Sequence, residues 1–396
     1  MSNTVNPKNN ADSTYNVLNS IVGYQEAVAD KAQWEKDGSD LIELKGSVDV
    51  TVATLHPKRL TLEVSKVIEE TPSTKTIRFI STGAPLPPFQ AGQYINLFVD
   101  IDGVSTARPY AISSACDEKN YYDLTIKRVT DGFVSNHLLD NVSQGQQFLS
   151  TGPMGTFYYN PLFHGEDLVF LAGGSGVAPA ITMLKDILSR GSKYSFHMIY
   201  CNSYIDDLIF INELRSLAEQ YPQFRLTEVV SRPPANFEGF KGHLSADLIR
   251  NTLGSIENKL FYVCGPTPFN DYCIGQLKSI GVPNKRIRLE ANGAPKNPQQ
   301  LSDWPTTIDA EEVMVTVTGR GSFKAKIGEP LLNSLERNGY SVENACRSGE
   351  CSLCRVKVIS GNVFNPPEAH LRKSDKTFGW VHSCVAYPTE DIEILF

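Results

Sequence analysis

A chain of 396 residues is longer than one hydrophobic core supports, so about two to four domains are expected. Apolar residues make up 41% and charged residues 20%, the balance of a folded globular protein rather than a disordered or fibrous one. The net charge of −7 argues against nucleic acid or an anionic membrane as the main partner, and no apolar run reaches the roughly 18 residues of a membrane span.

Residues 1–56 read as an extension without a chemical motif or assignable function. Val17, Ile21, Tyr24 and Val28 recur at helical spacing and predict a helix over 17–37. The start is polar and Asn-rich and lacks the charged and apolar regions of a secretion signal. Eight cysteines, four of them clustered near the end, fit a reducing compartment better than a disulfide scaffold. A cytoplasmic location is therefore expected, and with it a monomer or weak oligomer.

From 57 to 160 the text turns to short β-rich runs at 60–67, 75–80, 93–99, 108–114 and 123–129, separated by Gly and Pro. Their interval predicts a closed antiparallel barrel or sandwich. Residues 161–292 alternate apolar strands (167–171, 196–200, 225–230, 259–263) with helical patterns (178–190, 207–221), the signature of a parallel sheet covered on both faces. An aperiodic stretch rich in Pro, Asn and Gln, 293–311, reads as a mobile linker. In 312–396 a hairpin is predicted around Gly319-Arg320-Gly321, then a helix over 330–338 that stops at Gly339.

Cys346, Cys351, Cys354 and Cys384 are separated by four, two and 29 residues. This is the spacing of a plant-type 2Fe–2S centre, in which each iron takes two protein sulfurs. Four thiolates can also hold zinc, but zinc usually shows two close pairs rather than a triple and a remote single. A Rieske centre needs two His ligands, and only His382 stands near Cys384.

Arg108-Pro109-Tyr110-Ala111-Ile112-Ser113 lies on a predicted barrel strand. There a guanidinium can pair with phosphate, and a phenol two residues on, facing the same side, can stack on a flat ring. An Arg and a Tyr on an exposed strand face remain the plain alternative. Lys127 precedes Gly132-Phe-Val134-Ser135, a turn opening a helix and so a natural phosphate site. A glycine turn, Gly173-Gly174-Ser-Gly176-Val-Ala-Pro179, joins a strand to a helix; Cys264-Gly265-Pro266 follows another strand. Two such turns at strand C-termini outline a crevice, although the Rossmann GxGxxG is missing.

In this order the motifs resemble the ferredoxin–NADP reductase superfamily, in the variant with a C-terminal plant-type ferredoxin domain. The resemblance implies a multidomain protein: an antiparallel Greek-key β-barrel for the flavin, an α/β parallel-sheet nucleotide-binding domain and a C-terminal β-grasp ferredoxin domain (α+β). It implies that Arg108, Pro109, Tyr110, Ala111, Ile112, Ser113, Lys127, Gly132, Val134 and Ser135 hold FAD. Gly173, Gly174, Gly176, Pro179, Cys264, Gly265 and Pro266 would hold NADH or NADPH, and Cys346, Cys351, Cys354 and Cys384 the cluster. Tyr110, Ser113, Cys264 and Glu290 would stand nearest the reacting rings. The implied activity is an NAD(P)H-dependent reductase that passes electrons through FAD and the cluster to an acceptor protein. A Rieske-type oxygenase, another monooxygenase component or a hybrid-cluster protein would fit that place. Direct reduction of small acceptors and redox sensing are the competing readings.

Two departures from the family pattern stand out. Ala111 replaces the usual Ser or Thr, removing a hydroxyl near the flavin. Glu290-Ala-Asn292-Gly293 lacks the usual aromatic. No Arg or Lys follows the strand at 196–200, and Asp206 and Asp207 would repel a 2′-phosphate, so NADH is expected over NADPH, with Arg232 the one cation in reach.

Overall fold

The computed structural model describes residues 21–37, 46–191, 193–290, 293–306, 308 and 310–396. Helices α1 (Tyr24–Asp37) and α2 (Ser47–Leu55) belong to a unit that is compact apart from the remainder, and neither buries a side chain. The described part of the helix expected over 17–37 is α1; residues 17–20 lie outside the described residues.

The barrel consists of β1 (Leu60–Thr71), β2 (Thr74–Ser81), β3 (Tyr94–Ile101), β4 (Val104–Ala111), β5 (Tyr122–Lys127) and β6 (Gln147–Ser150), with α3 (Phe133–Asn141) over its end. The sheet order is β4-β3-β6-β1-β2-β5, all paired strands antiparallel. It closes through a single bridge, Ile112 to Leu124. Alternate positions point inward, so Leu62, Val64, Ile77, Phe79, Ile95, Leu97 and Leu124 are fully buried in one core. Burial of each such side chain contributes about 1.5–3 kcal/mol.

The second sheet holds β7 (Asp167–Gly173), β8 (Ser195–Asn202), β9 (Phe224–Val230), β10 (Phe240–Lys241), β11 (Leu260–Cys264) and β12 (Ile287–Glu290). Its order is β10-β9-β8-β7-β11-β12, every pair parallel. Core residues lie on both faces, which is why β7 reads as a continuous apolar run. Four helices cover it: α4 (Val177–Ser189), α5 (Ile211–Gln220), α6 (Ala246–Leu253) and α7 (Thr267–Ser279). Helix α4 buries ten of its thirteen residues because it is wedged between sheet and barrel, and Thr182 Oγ1 donates to Ile112 O at 2.7 Å across that seam.

The third body contains β13 (Glu312–Val317), β14 (Gly321–Lys326), α8 (Leu331–Arg337), β15 (Arg355–Ser360), β16 (Val363–Phe364), α9 (Lys373–Thr377), β17 (Trp380–His382), β18 (Tyr387–Pro388) and β19 (Ile392–Leu395). Its main sheet runs β14-β13-β19-β15-β17, with β13 and β19 parallel, and α8 packs Leu331, Leu332 and Leu335 onto it in a β-grasp arrangement. The described part of 293–311 is packed rather than loose. Trp304 meets Phe364 and Tyr387 edge-on at 5.0 and 6.2 Å, and Tyr387 donates its hydroxyl to Pro295 O at 2.7 Å. An exposed indole would be costly, so the stretch folds down where those rings wait. Phe364, 8% exposed, is consequently core here.

Candidate functional site

The order of the parallel sheet reverses between β7 and β11, and the crevice beyond that point is where ligands of such sheets bind. Both flanking turns feed helices that start there, α4 after Gly176 and α7 after Pro266. Neither start carries a side-chain cap, so first-turn amides remain to meet an anion. Gly174 has φ +55, a left-handed conformation that glycine adopts without strain. The other glycines answer to packing. A Cβ on Gly176 would lie 1.9 Å from Cys264 O; one on Gly173 or Gly265 would lie 2.7 or 2.4 Å from the Phe269 ring. Phe269, which sequence reasoning passed over, is thus the wedge between the two turns. Its only signal was an aromatic just inside the helix that follows Pro266.

Pro179 sits in the first turn of α4, where its missing N–H costs nothing. Cys264 is 3% exposed at the end of β11.

On the barrel, β4 pairs with β3 from Val104 to Ala111, but touches β5 only beyond its end, at Ile112. Its other edge is therefore open along Arg108, Pro109, Tyr110 and Ala111, all four partly exposed although Thr106, Ala107 and Ile112 are buried. An open edge normally needs a cover, and a flat ring stacked on Tyr110 suits this one. Gly132 caps α3 without a side-chain cap, with Val134 buried and Ser135 close beside it. The residues present therefore fit a flavin with its phosphates at α3.

Ser113, expected beside the reacting rings, ties the end of β4 to β5. It is 4% exposed, and its hydroxyl is used within the barrel, 3.1 Å from Asp123 O and 2.8 Å from Thr125 Oγ1. It lies on the wall of a 690 Å³ cavity between barrel and α5, together with Glu70, Arg78, Tyr121 and Glu213. None of the glycine turns or cysteines borders that cavity, and the site rests on the crevice instead.

Lys127 pairs with Asp207 at 3.1 Å, and Ser73 Oγ donates to the same carboxylate at 2.7 Å. Burial pushes the Asp207 carboxyl up, but these two partners outweigh it and hold it below the usual range. Asp207 is thus turned to the barrel, whereas Asp206 is exposed. Arg232 Nη1 donates to Tyr204 OH at 2.7 Å, at the ends of β9 and β8.

The cysteine loop is curled by three left-handed residues, Arg347 (φ +53), Gly349 (φ +84) and Ser352 (φ +60). Such a curl turns successive amides inward and forms a nest for negative charge. The N–H groups of Ser348 and Cys351 both point at Cys346 Sγ, at 3.4 Å. Hydrogen bonds from Cys351 and Cys384 hold the Cys346 thiol far below its ordinary value, and one from Cys384 lowers Cys354. The sulfurs follow one another in contact, Cys351 to Cys346 to Cys384 to Cys354, an arrangement that suits a two-iron cluster. His382 is fully buried beneath the loop with Nδ1 2.7 Å from Gly349 O, so it steadies the loop.

The three sites converge. Burial, then the charges of Cys346, Cys351, Glu290 and Glu350, push the Tyr94 phenol up. Burial, then Glu350 and Cys346, push the Glu290 carboxyl well up. Glu290 at the end of β12 and Tyr94 on β3 are therefore within electrostatic reach of the cysteine loop. The loop itself bonds to the barrel through Arg347 Nη1 to Ala107 O at 3.1 Å and Asn96 Nδ2 to Asn344 O at 2.8 Å. Ala291 and Asn292, where an aromatic was missed, lie outside the described residues.

Fold and site together define a three-part oxidoreductase with places for a flavin, a nicotinamide dinucleotide and an iron–sulfur cluster. Comparison with known proteins agrees. Family models match residues 61–159 (oxidoreductase FAD-binding domain), 170–273 (oxidoreductase NAD-binding domain) and 315–389 (2Fe-2S iron-sulfur cluster binding domain). The ferredoxin reductase component of 3-ketosteroid-9-alpha-monooxygenase from Rhodococcus rhodochrous is 32% identical over 86% of this chain and 98% of its own. The glycine betaine monooxygenase reductase subunit of Chromohalobacter salexigens is 28% identical over 88% and 98%. Phthalate dioxygenase reductase shares the fold at a TM-score of 0.63, with 21% identity over 85% of this chain and 97% of that one. The chain belongs to the ferredoxin–NADP reductase superfamily, in the branch with a C-terminal plant-type 2Fe–2S domain.

Proposed function

We propose that this protein is the reductase component of an oxygenase system, taking electrons from NADH and delivering them one at a time to a separate oxygenase protein. The observation that carries this reading is the hydrogen bonding of the cysteine loop to the barrel beside the open edge of β4, Arg347 Nη1 to Ala107 O at 3.1 Å and Asn96 Nδ2 to Asn344 O at 2.8 Å. The relatives named as monooxygenase reductase components, matched over nearly their whole length, support the oxygenase as acceptor.

The turn at Gly173–Gly176 holds the dinucleotide pyrophosphate on the start of α4, and Cys264, Gly265 and Pro266 flank the nicotinamide. Phe269 fixes the spacing between the two turns. Arg108, Pro109, Tyr110 and Ala111 present the flavin, while Gly132, Val134 and Ser135 take its phosphates and Ile112 and Ser113 close the barrel behind it. The flavin supplies the change from two-electron to one-electron chemistry. One NADH yields NAD⁺, a proton and two electrons, which two one-electron equivalents of acceptor consume. Cys346, Cys354 and Cys384 are buried and Cys351 is exposed, so the outlet is the Cys351 corner, beside the 47%-exposed Leu353. Asp206 and the absence of a cation from 201 to 207 favour NADH. The protein works in the cytoplasm, where thiols stay reduced and NADH is supplied.

Mixing the loaded protein with NADH should bleach the flavin before or together with the cluster, and NADH should exceed NADPH in kcat/KM. Cytochrome c turnover should be lost in Cys351→Ser. Full turnover in that variant would mean direct flavin chemistry; no flavin bleaching by either nicotinamide would end the reading.

A further inference from the structure

One carboxylate joins the cysteine loop to the strand that presents the flavin. Glu336, on α8, is 8% exposed and pairs with Arg347, which follows the first cysteine and is 7% exposed. Arg347 Nη1 and Nη2 donate to its two oxygens at 2.7 and 2.9 Å. The same Nη1 reaches Ala107 O on β4 at 3.1 Å. Glu336 Oε2 also accepts from the Thr106 hydroxyl on β4 at 2.9 Å, and Thr106 Oγ1 accepts from Arg108 Nη1 at 2.6 Å. Nearby, Asn96 Nδ2 on β3 donates to Asn344 O at 2.8 Å, two residues before Cys346.

A buried ion pair of this kind adds little net stability, because desolvation offsets much of the attraction. What it adds is direction, since a fork of donors accepts only one placement of its partners. The barrel partners, Thr106 and Ala107, immediately precede the open run 108–111, and the loop partner adjoins Cys346. The network therefore fixes one site against the other. Arg347 pairs with this carboxylate directly and Arg108 reaches it through the Thr106 hydroxyl, and burial, then Arg347, lowers Arg108 to about 10. Losing the carboxylate would leave both cations buried without their counter-charge.

We propose that Glu336 and Thr106 are positioning residues that hold the cysteine loop in register with the flavin strand, so that electron passage between the two centres depends on them. This rests on the relay described above. The test uses loaded full-length protein carrying Thr106→Val, Thr106→Ser or Glu336→Gln, with three readouts: amide hydrogen exchange at 105–108 and 344–348, the EPR spectrum of the dithionite-reduced cluster, and rapid mixing with NADH. Thr106→Val should exchange faster at both segments and keep the parent EPR lines. It should bleach its flavin at the parent rate yet reduce its cluster about tenfold more slowly or worse, as displacements near 1 Å allow. Thr106→Ser should restore the parent rate. Glu336→Gln should act in the same direction, and if it fails to fold the Thr106 pair decides.

Parent exchange and parent cluster reduction in Thr106→Val would overturn the proposal. So would a serine variant as slow as the valine one, or altered EPR lines, which would place the effect on the cluster itself. A parent protein whose cluster NADH never reduces would instead refute the relay, and the exchange data would still judge the clamp.

Discussion

Along its seam with the parallel sheet, the barrel brings Gly92 so close that a Cβ there would lie 2.4 Å from Phe157 O and 2.3 Å from Met183 Cε. Along its seam with the cysteine body it offers Thr106, Ala107 O and Asn96 to Glu336, Arg347 and Asn344. The first seam is closely packed and apolar around Gly92 and α4, with the Thr182–Ile112 bond within it and the Lys127–Asp207 pair and a polar cavity at its margin. The second is polar, buried and directional. Apolar packing stabilises an arrangement but tolerates sliding, whereas forked hydrogen bonds select one register at little net gain. The flavin and nicotinamide are held across a seam built for permanence, and the cluster across one built for alignment.

The largest change should come from Cys384→Ser, which removes a buried ligand and with it the purpose of the polar seam. Iron content and cytochrome c turnover should fall, turnover by about 100-fold or more, while NADH still bleaches the flavin. Gly92→Ala attacks the other seam. Its φ of +105 and the clash with Phe157 O should cost about 3 kcal/mol, read as a lower denaturant midpoint with an unchanged slope.

A smaller effect concerns pH. Burial lowers His164, which contacts Tyr262 OH at 2.9 Å next to the apolar seam, from 6.5 to about 4, and lowers His197 likewise. The unfolded chain then binds protons first as pH falls, so stability should be level above 6.5 and decline between 6.5 and 4. A variant with His164→Gln and His197→Gln should show a shallower decline in the same range. Equal slopes would mean the rings titrate normally. Lys127→Ala should matter least, about 0.5 kcal/mol at pH 7, because the pair is partly exposed. Asp207 is held below the unfolded carboxylate value. Its contribution is therefore full above that value and should vanish as pH drops through the folded one.

Local patterns were readable in the sequence and distant pairings were not. Alternation marked β13 and β14, a continuous apolar run marked β7, and the cysteine spacing marked the cluster, because each reports a periodicity or a ligand geometry within one segment. Strand β6, four residues long with two of them exposed, carried too little pattern to see. The bond from Ser113 to Thr125 was not legible because a hydroxyl reads alike whether it faces a ligand or ties two strands. The pairing of Asp207 was not legible because nothing near it in sequence announces Ser73 and Lys127. The Arg347–Ala107 contact spans 240 residues, and Trp304 finds its rings only after the third body has folded.

Of the four ligating sulfurs, Cys351 alone is exposed. A centre that hands electrons outward must keep one corner in the weather. Oxidants and chelators therefore arrive at the same corner as the acceptor, and a docked partner shelters the cluster while it drains it. The working lifetime of the protein in air is thus tied to how seldom that corner stands uncovered.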